Sequence, residues 1–198
     1  MDMRAEDQQQ MQDGIAKLNA MPVADLRTKL LQICGSVSWV ESVIKTFPHT
    51  SAASILTAMD RAWWSLSRPD YLEAFAAHPR IGDGEALKKK FATVPKASGK
   101  AGPVWEADEQ KGAEGADEKT LQSLVKHNKL YEERFGHIFL VCATGKTADE
   151  MLAILQDRMR NEPAYELTVA AGEQNKITAL RLHKLLTFLG TREDSSRL

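Results

Sequence analysis

A chain of 198 residues is long enough to bury one substantial core and shorter than two full domains ordinarily need. Its 26 lysines and arginines stand against 27 aspartates and glutamates, a formal net charge of −1, which excludes recognition of nucleic acid or an anionic membrane through bulk electrostatics and points to a small-molecule partner. No apolar run approaches the roughly 20 residues of a membrane span, and the polar start MDMRAEDQQQMQDG lacks a signal-peptide core, so a cytoplasmic protein is expected.

Taken in chain order, residues 1–14 read as a flexible tail. Leu26, Leu30 and Leu31 lead at helical spacing to Cys34, and Val40, Val43, Ile44 and Phe47 repeat the pattern. Ser51 has the position of a helix cap ahead of Ile55, Met59, Trp63 and Leu66. Leu72 and Phe75 belong to a further helix that ends at His78-Pro79. The stretch from Lys88 to Gly115, rich in Lys, Gly, Ala and Glu, reads as a long surface connection with short helical pieces. After Asp117, Leu121, Leu124, Val125, Asn128, Tyr131 and Phe135 share one helical face. Ile138 to Ala143 is continuously apolar and fits a buried strand or a buried helical segment, but one strand cannot make a sheet. Thr147-Ala148-Asp149-Glu150 has the form of a capping box opening a helix through Met151, Leu152 and Leu155 that stops near Asn161. Pro163 suits the first turn of a final long helix through Leu167, Ala170, Ile177, Leu180 and Leu185. The expected fold is therefore all-α, a single-domain helical bundle of about eight to nine helices over residues 1–198, with 190–198 as a second flexible tail. Cys34 and Cys142 sit among apolar neighbours, as buried thiols do. The tail ends in Ser196-Arg197-Leu198, a basic variant of a peroxisomal address or a frayed polar end.

Four segments carry residues suited to chemistry. In Ala77-His78-Pro79-Arg80-Ile81-Gly82-Asp83 the proline pushes His78 out of helical geometry and leaves its imidazole at a helix C-terminus, where it suits proton transfer near neutral pH or simply terminates the helix. Trp105-Glu106-Ala107-Asp108-Glu109-Gln110 is an acidic cluster beside an aromatic, which also fits a solvated helix N-terminus. Gly136, between Arg134-Phe135 and His137-Ile138-Phe139, lets a ligand approach bare backbone or caps a helix. Arg158 and Arg160, late in a helix, offer a fork for a carboxylate or oppose the helix dipole. The histidines His49, His78, His127, His137 and His183 form no HExxH pair and have no cysteine partners, so no built-in metal site is expected. A GxSxG elbow and a phosphate-binding glycine loop are missing, and Lys88-Lys89-Lys90 lacks the interleaved aromatics of a nucleic-acid patch.

Together these segments resemble the OHCU decarboxylase family, named for 2-oxo-4-hydroxy-4-carboxy-5-ureidoimidazoline. The resemblance runs from about Leu26 to Leu186 and rests on Cys34-Gly35-Ser36 with Trp39, Ala74 through Asp83, Glu109-Gln110, Arg134-Phe135-Gly136 with Phe139, Gly145-Lys146, Arg158 with Asn161, and Glu173 through Ile177 to Arg181-Leu182. It implies an all-helical homodimer that needs no metal or organic cofactor and converts its substrate to (S)-allantoin and CO2 in urate breakdown. It further implies His78 and Glu109 as the catalytic pair, with Gln110, Arg158, Pro79 and the segment Ile138, Phe139 and Leu140 at the substrate. Two positions depart from the family's usual pattern: Glu106 where serine is common, and His137-Ile138 where Phe-Pro is common. The rival readings are a helical protein-interaction module, which predicts no convergent pocket, and another proton-transfer lyase or hydrolase of ureide metabolism.

Overall fold

The computed structural model describes residues 4–80 and 118–191. The described residues are all-α, with no strand among them, and form eight helices: α1 Ala5–Asn19, α2 Val23–Ile33, α3 Val37–Ile44, α4 Ala52–Trp64, α5 Arg68–Ala76, α6 Glu118–Phe135, α7 Ala148–Arg158 and α8 Pro163–Gly190. None is long and apolar enough to cross a membrane. The starts follow local chemistry. The Ser51 hydroxyl accepts from Ser54 N–H, the Thr147 hydroxyl from Glu150 N–H, and the residue three on answers reciprocally in each case, so two donors that the helix itself leaves open are satisfied together. Pro163 is the first residue of α8, where its missing N–H costs nothing.

These residues divide into two compact units, one running to Tyr71 and resuming at Ile177, the other Leu72–Lys176. The first has Leu18, Leu30, Ile33, Trp39, Ile55, Met59 and Leu186 at its centre. There Trp39 Nε1 donates to Met59 O at 3.1 Å, which satisfies the indole's polar edge in an otherwise apolar site. Arg181 Nη1 donates to Gln32 O and Ile33 O, both at 3.3 Å, closing off the last carbonyls of α2. The expected tail over residues 1–14 is instead helical from Ala5, because Met11, Gly14, Ile15 and Leu18 make a buried stripe at helical spacing. That stripe meets the C-terminal part of α8 at very short range. A Cβ on Gly14 would lie 2.1 Å from Leu186 O, and one on Gly190 would lie 1.8 Å from Gln10 O. Leu31, Val125 and Leu180, read as core positions, are exposed; each sits beside a buried neighbour on a stripe narrower than the apolar pattern suggests. Both cysteines are buried thiols.

The second unit packs α6 against α7 through Leu124, Tyr131, Phe135, Met151 and Leu155. Ile138–Ala143 threads this core as irregular backbone, neither strand nor helix, with Phe139, Leu140, Val141, Cys142 and Ala143 all buried.

Candidate active site

Helix α5 ends at Ala76, and the chain tightens through one more turn in which His78 N–H donates to Phe75 O at 3.0 Å. Pro79 then stops any continuation. His78 is half-buried with its Nε2 out of solvent. The turn is tied to α6 by Arg80, whose Nε and Nη2 reach the two Glu132 carboxylate oxygens at 2.6 and 2.8 Å, a two-pronged pair that fixes direction as well as distance. Ile81, Gly82, Asp83, Glu106, Glu109 and Gln110 lie outside the described residues.

Helix α6 ends in the manner its glycine suggests. Gly136 adopts φ +74° and its N–H returns to Glu132 O at 2.8 Å, a left-handed cap that a side chain would strain. The next residue, His137, is buried among the rings of Phe75, Tyr131 and Phe135, with the Phe75 ring centre 5.3 Å away. Its Nδ1 lies 3.0 Å from Ile138 O; a carbonyl only accepts, so Nδ1 carries the hydrogen. Around this meeting of α5 and the end of α6 lies a cavity of about 310 Å³ lined by Leu72, Phe75, Ala76, Glu132, Gly136, His137 and Ile138, at the lower end of the small-ligand range.

From Ile138 the backbone runs without a sheet partner, and side chains take up part of its hydrogen bonding. Arg158, only 6% exposed, donates through Nη1 to Leu140 O at 2.7 Å. Its Nε and Nη2 hold Glu166 Oε1 at 2.8 and 2.5 Å, and Nη2 also reaches the Tyr131 hydroxyl at 3.3 Å. Glu166 is fully buried and takes two further hydrogen bonds, from the Tyr131 hydroxyl and from Asn161 Nδ2, the latter at 2.6 Å. Burial pushes the Tyr131 phenol far above its ordinary range; Arg158 opposes this and the hydrogen bond to Glu166 reinforces it, so the hydroxyl stays protonated and donating. The guanidinium lies over the Phe139 ring at 4.8 Å. Two residues on, Cys142 N–H donates to Glu173 Oε2 at 2.8 Å, while Cys142 O accepts from Lys146 Nζ at 2.8 Å. Among the described residues, the N–H groups of Ile138, Phe139 and Leu140 make no hydrogen bond.

The structure thus joins the His78-Pro79 turn to the Ile138–Leu140 segment through the Phe75–His137 contact, and joins that segment to Arg158 through Leu140 O. Of the two late arginines, Arg158 turns inward while Arg160 is exposed beside Asp157. Sequence reasoning passed over Glu166, Glu173 and Lys146 as parts of a site. The signal for Glu166 is its place three residues after Pro163, where an acid is ordinarily read as complementing the helix dipole.

A histidine-bearing turn at the end of α5 and a stretch of irregular backbone leading out of α6, both carried on an all-α frame, define the class of the chain. A profile of the OHCU decarboxylase family matches residues 19–183, and the chain belongs to that family. The uric acid degradation bifunctional protein TTL of Arabidopsis thaliana is 38% identical over 157 residues, 78% of this chain and 45% of that protein. The 2-oxo-4-hydroxy-4-carboxy-5-ureidoimidazoline decarboxylase of Amia calva is 42% identical over 59 residues, 30% of this chain and 34% of that one. The chain spans less than half the length of these two relatives. A crystal structure of OHCU decarboxylase in the presence of (S)-allantoin aligns with a TM-score of 0.60 at 33% identity, covering 79% of this chain and 95% of its own.

Proposed function

We propose that this chain is a carboxy-lyase that converts 2-oxo-4-hydroxy-4-carboxy-5-ureidoimidazoline to (S)-allantoin and CO2 in urate breakdown. The observation that supports this reading is the cavity where the end of α5, which leads into the His78 turn, meets Gly136, His137 and Ile138, in a chain whose family neighbour was solved with (S)-allantoin present.

The chemistry needs little beyond placement. The bond from the ring carbon to its carboxylate breaks, CO2 leaves, and the electron pair passes into the adjoining ring C=N before a proton returns to one face. The ring takes the part an electron-accepting cofactor plays elsewhere, so no cofactor or metal enters this reading. His78 manages the 4-hydroxyl proton and the return of the proton to carbon, with Glu109 orienting it or relaying; such groups typically supply about 10² to 10⁴ in rate. Gln110 binds the ureido or ring amides, and Pro79 walls the site. The open N–H groups of Ile138, Phe139 and Leu140 bind substrate carbonyl or carboxylate oxygens. A guanidinium has five N–H donors, and four hydrogen bonds from Arg158 go to Glu166, Tyr131 and Leu140, which leaves one N–H on Nη1 for the substrate.

The family's homodimer is carried over as part of the proposal and is tested by light scattering. An aqueous compartment suits the reading, cytosolic or, with Ser196-Arg197-Leu198 taken as an address, peroxisomal; the location of a fluorescent fusion separates the two. The function itself is tested by mixing urate, urate oxidase and hydroxyisourate hydrolase with the protein and following circular dichroism. Optically active (S)-allantoin is the expected product, and racemic product at the uncatalysed rate refutes the proposal.

A further inference from the structure

Three charged side chains from three parts of the chain converge on the short piece Leu140–Cys142. Arg158, at the end of α7, holds Leu140 C=O at 2.7 Å. Glu173, on α8, holds Cys142 N–H at 2.8 Å, and Lys146 holds Cys142 C=O at 2.8 Å. Charge-assisted hydrogen bonds are shorter and stiffer than neutral ones, and burying ions is costly where a neutral partner would serve. Glu173 is the unusual member. Its side chain is only 14% exposed, yet it spends one oxygen on a single backbone N–H and the other on Lys176 Nζ at 2.5 Å.

We infer that Glu173 is a positioning residue for the proposed reaction. By pinning Cys142 N–H while Arg158 pins Leu140 C=O, it fixes the placement of the open N–H groups of Ile138, Phe139 and Leu140 against the substrate. The inference rests on the decarboxylase reading above. Its physical basis is that an acceptor oxygen on Cys142 N–H and a donor on Leu140 C=O restrain the segment at two points, so it neither slides nor rotates as a unit. Loss of Glu173 leaves the segment held by its carbonyls alone, Leu140 O on Arg158 and Cys142 O on Lys146, and frees its N–H side to turn. A misplacement of about 1 Å in a site of this kind costs up to about 10²-fold in rate.

Three variants of the full chain test this: Glu173→Gln, Glu173→Asp and Glu173→Leu. Glutamine keeps an oxygen within reach of Cys142 N–H and should hold kcat within about 3-fold of wild type, whereas aspartate, shorter by one methylene, and leucine, with no acceptor, should each lower kcat by about 10- to 100-fold. Aspartate preserves the charge, so its loss of rate is separable from an effect of charge, and kcat per folded molecule separates it from a failure to fold. Amide hydrogen exchange at Cys142 should accelerate in the Asp and Leu variants and stay slow in the Gln variant, a readout independent of turnover. Asp and Leu variants with wild-type kcat per folded molecule overturn the positioning role while leaving the decarboxylase reading intact. Wild-type protein that yields only racemic product at the uncatalysed rate overturns the decarboxylase reading, and the positioning role falls with it.

Discussion

Replacing Glu166 by glutamine changes one oxygen to nitrogen and removes one charge from a place with no solvent. The wild-type carboxylate accepts from Arg158 Nε and Nη2, from the Tyr131 hydroxyl and from Asn161 Nδ2. In the variant, if the amide oxygen stays with Arg158 and Tyr131, the amide NH2 faces Asn161 Nδ2, donor against donor. The guanidinium keeps its full charge at 6% exposure with Leu140 O as its remaining strong acceptor among these partners. Stranding one member of a buried ion pair costs about 3–5 kcal/mol, which at about 2–4 °C per kcal/mol for a chain of this size lowers the unfolding midpoint by about 6–20 °C. The assay is urea and thermal unfolding of wild type, Glu166→Gln, Arg158→Met and the double variant. The double variant should lose less than the sum of the singles, because it strands no charge. A Glu166→Gln loss below about 1 kcal/mol, the scale of an exposed pair, or strict additivity across the cycle, refutes the account of this cluster.

His78→Asn should cost at least about 10² in kcat while shifting the unfolding midpoint little, since the residue sits on a half-buried turn; retention of more than about a tenth of the rate removes it from proton transfer. Gly14→Ala should destabilise by about 1–3 kcal/mol in chemical denaturation even though alanine is the better helix former by about 1 kcal/mol, because the added methyl meets backbone that cannot swing aside; a stabilised variant would show that the close crossing is wrong. Burial pushes the Glu173 carboxyl up, but the Lys176 and Cys142 hydrogen bonds and the nearby positive charges outweigh it, so it titrates below the ordinary glutamate range. The resulting stability is present above about pH 4.3 and is lost as pH falls through the lower folded value, so an acid titration of stability should be less steep in Glu173→Gln than in wild type, and superimposable curves would contradict the assignment.

What could be read from the residues alone was what is local. The cap at Ser51, the capping box at Thr147, the proline opening α8 and the buried face of Leu124, Asn128, Tyr131 and Phe135 follow from spacings of three or four residues. Helix α1 escaped because residues 1–14 read as a polar tail, while the use of Gly14 is contact with Leu186, far along the chain. The Ile138–Ala143 run announced its burial through six apolar side chains. It could not announce that Arg158 and Glu173, from 18 and 31 residues away, supply the hydrogen bonds a strand would have taken from a sheet. Glu166 was obscured by the same ambiguity, since an acid in a first turn serves the dipole whether or not it enters the core.

The crossing of α1 and α8 bears on how this protein can be handled. The family profile begins at residue 19, so a fragment cut at that boundary discards nearly all of α1. The cut removes the Gln10 side chain from Thr187 O at 3.0 Å and bares the strip of α8 that Gly14 lets α1 approach so closely. Such a fragment keeps every residue assigned to chemistry yet offers water an apolar seam with carbonyls already spent within their own helix. It should precipitate where the full chain stays dispersed, and a tag or fusion partner attached ahead of Ala5 needs a linker long enough to leave that helix seated.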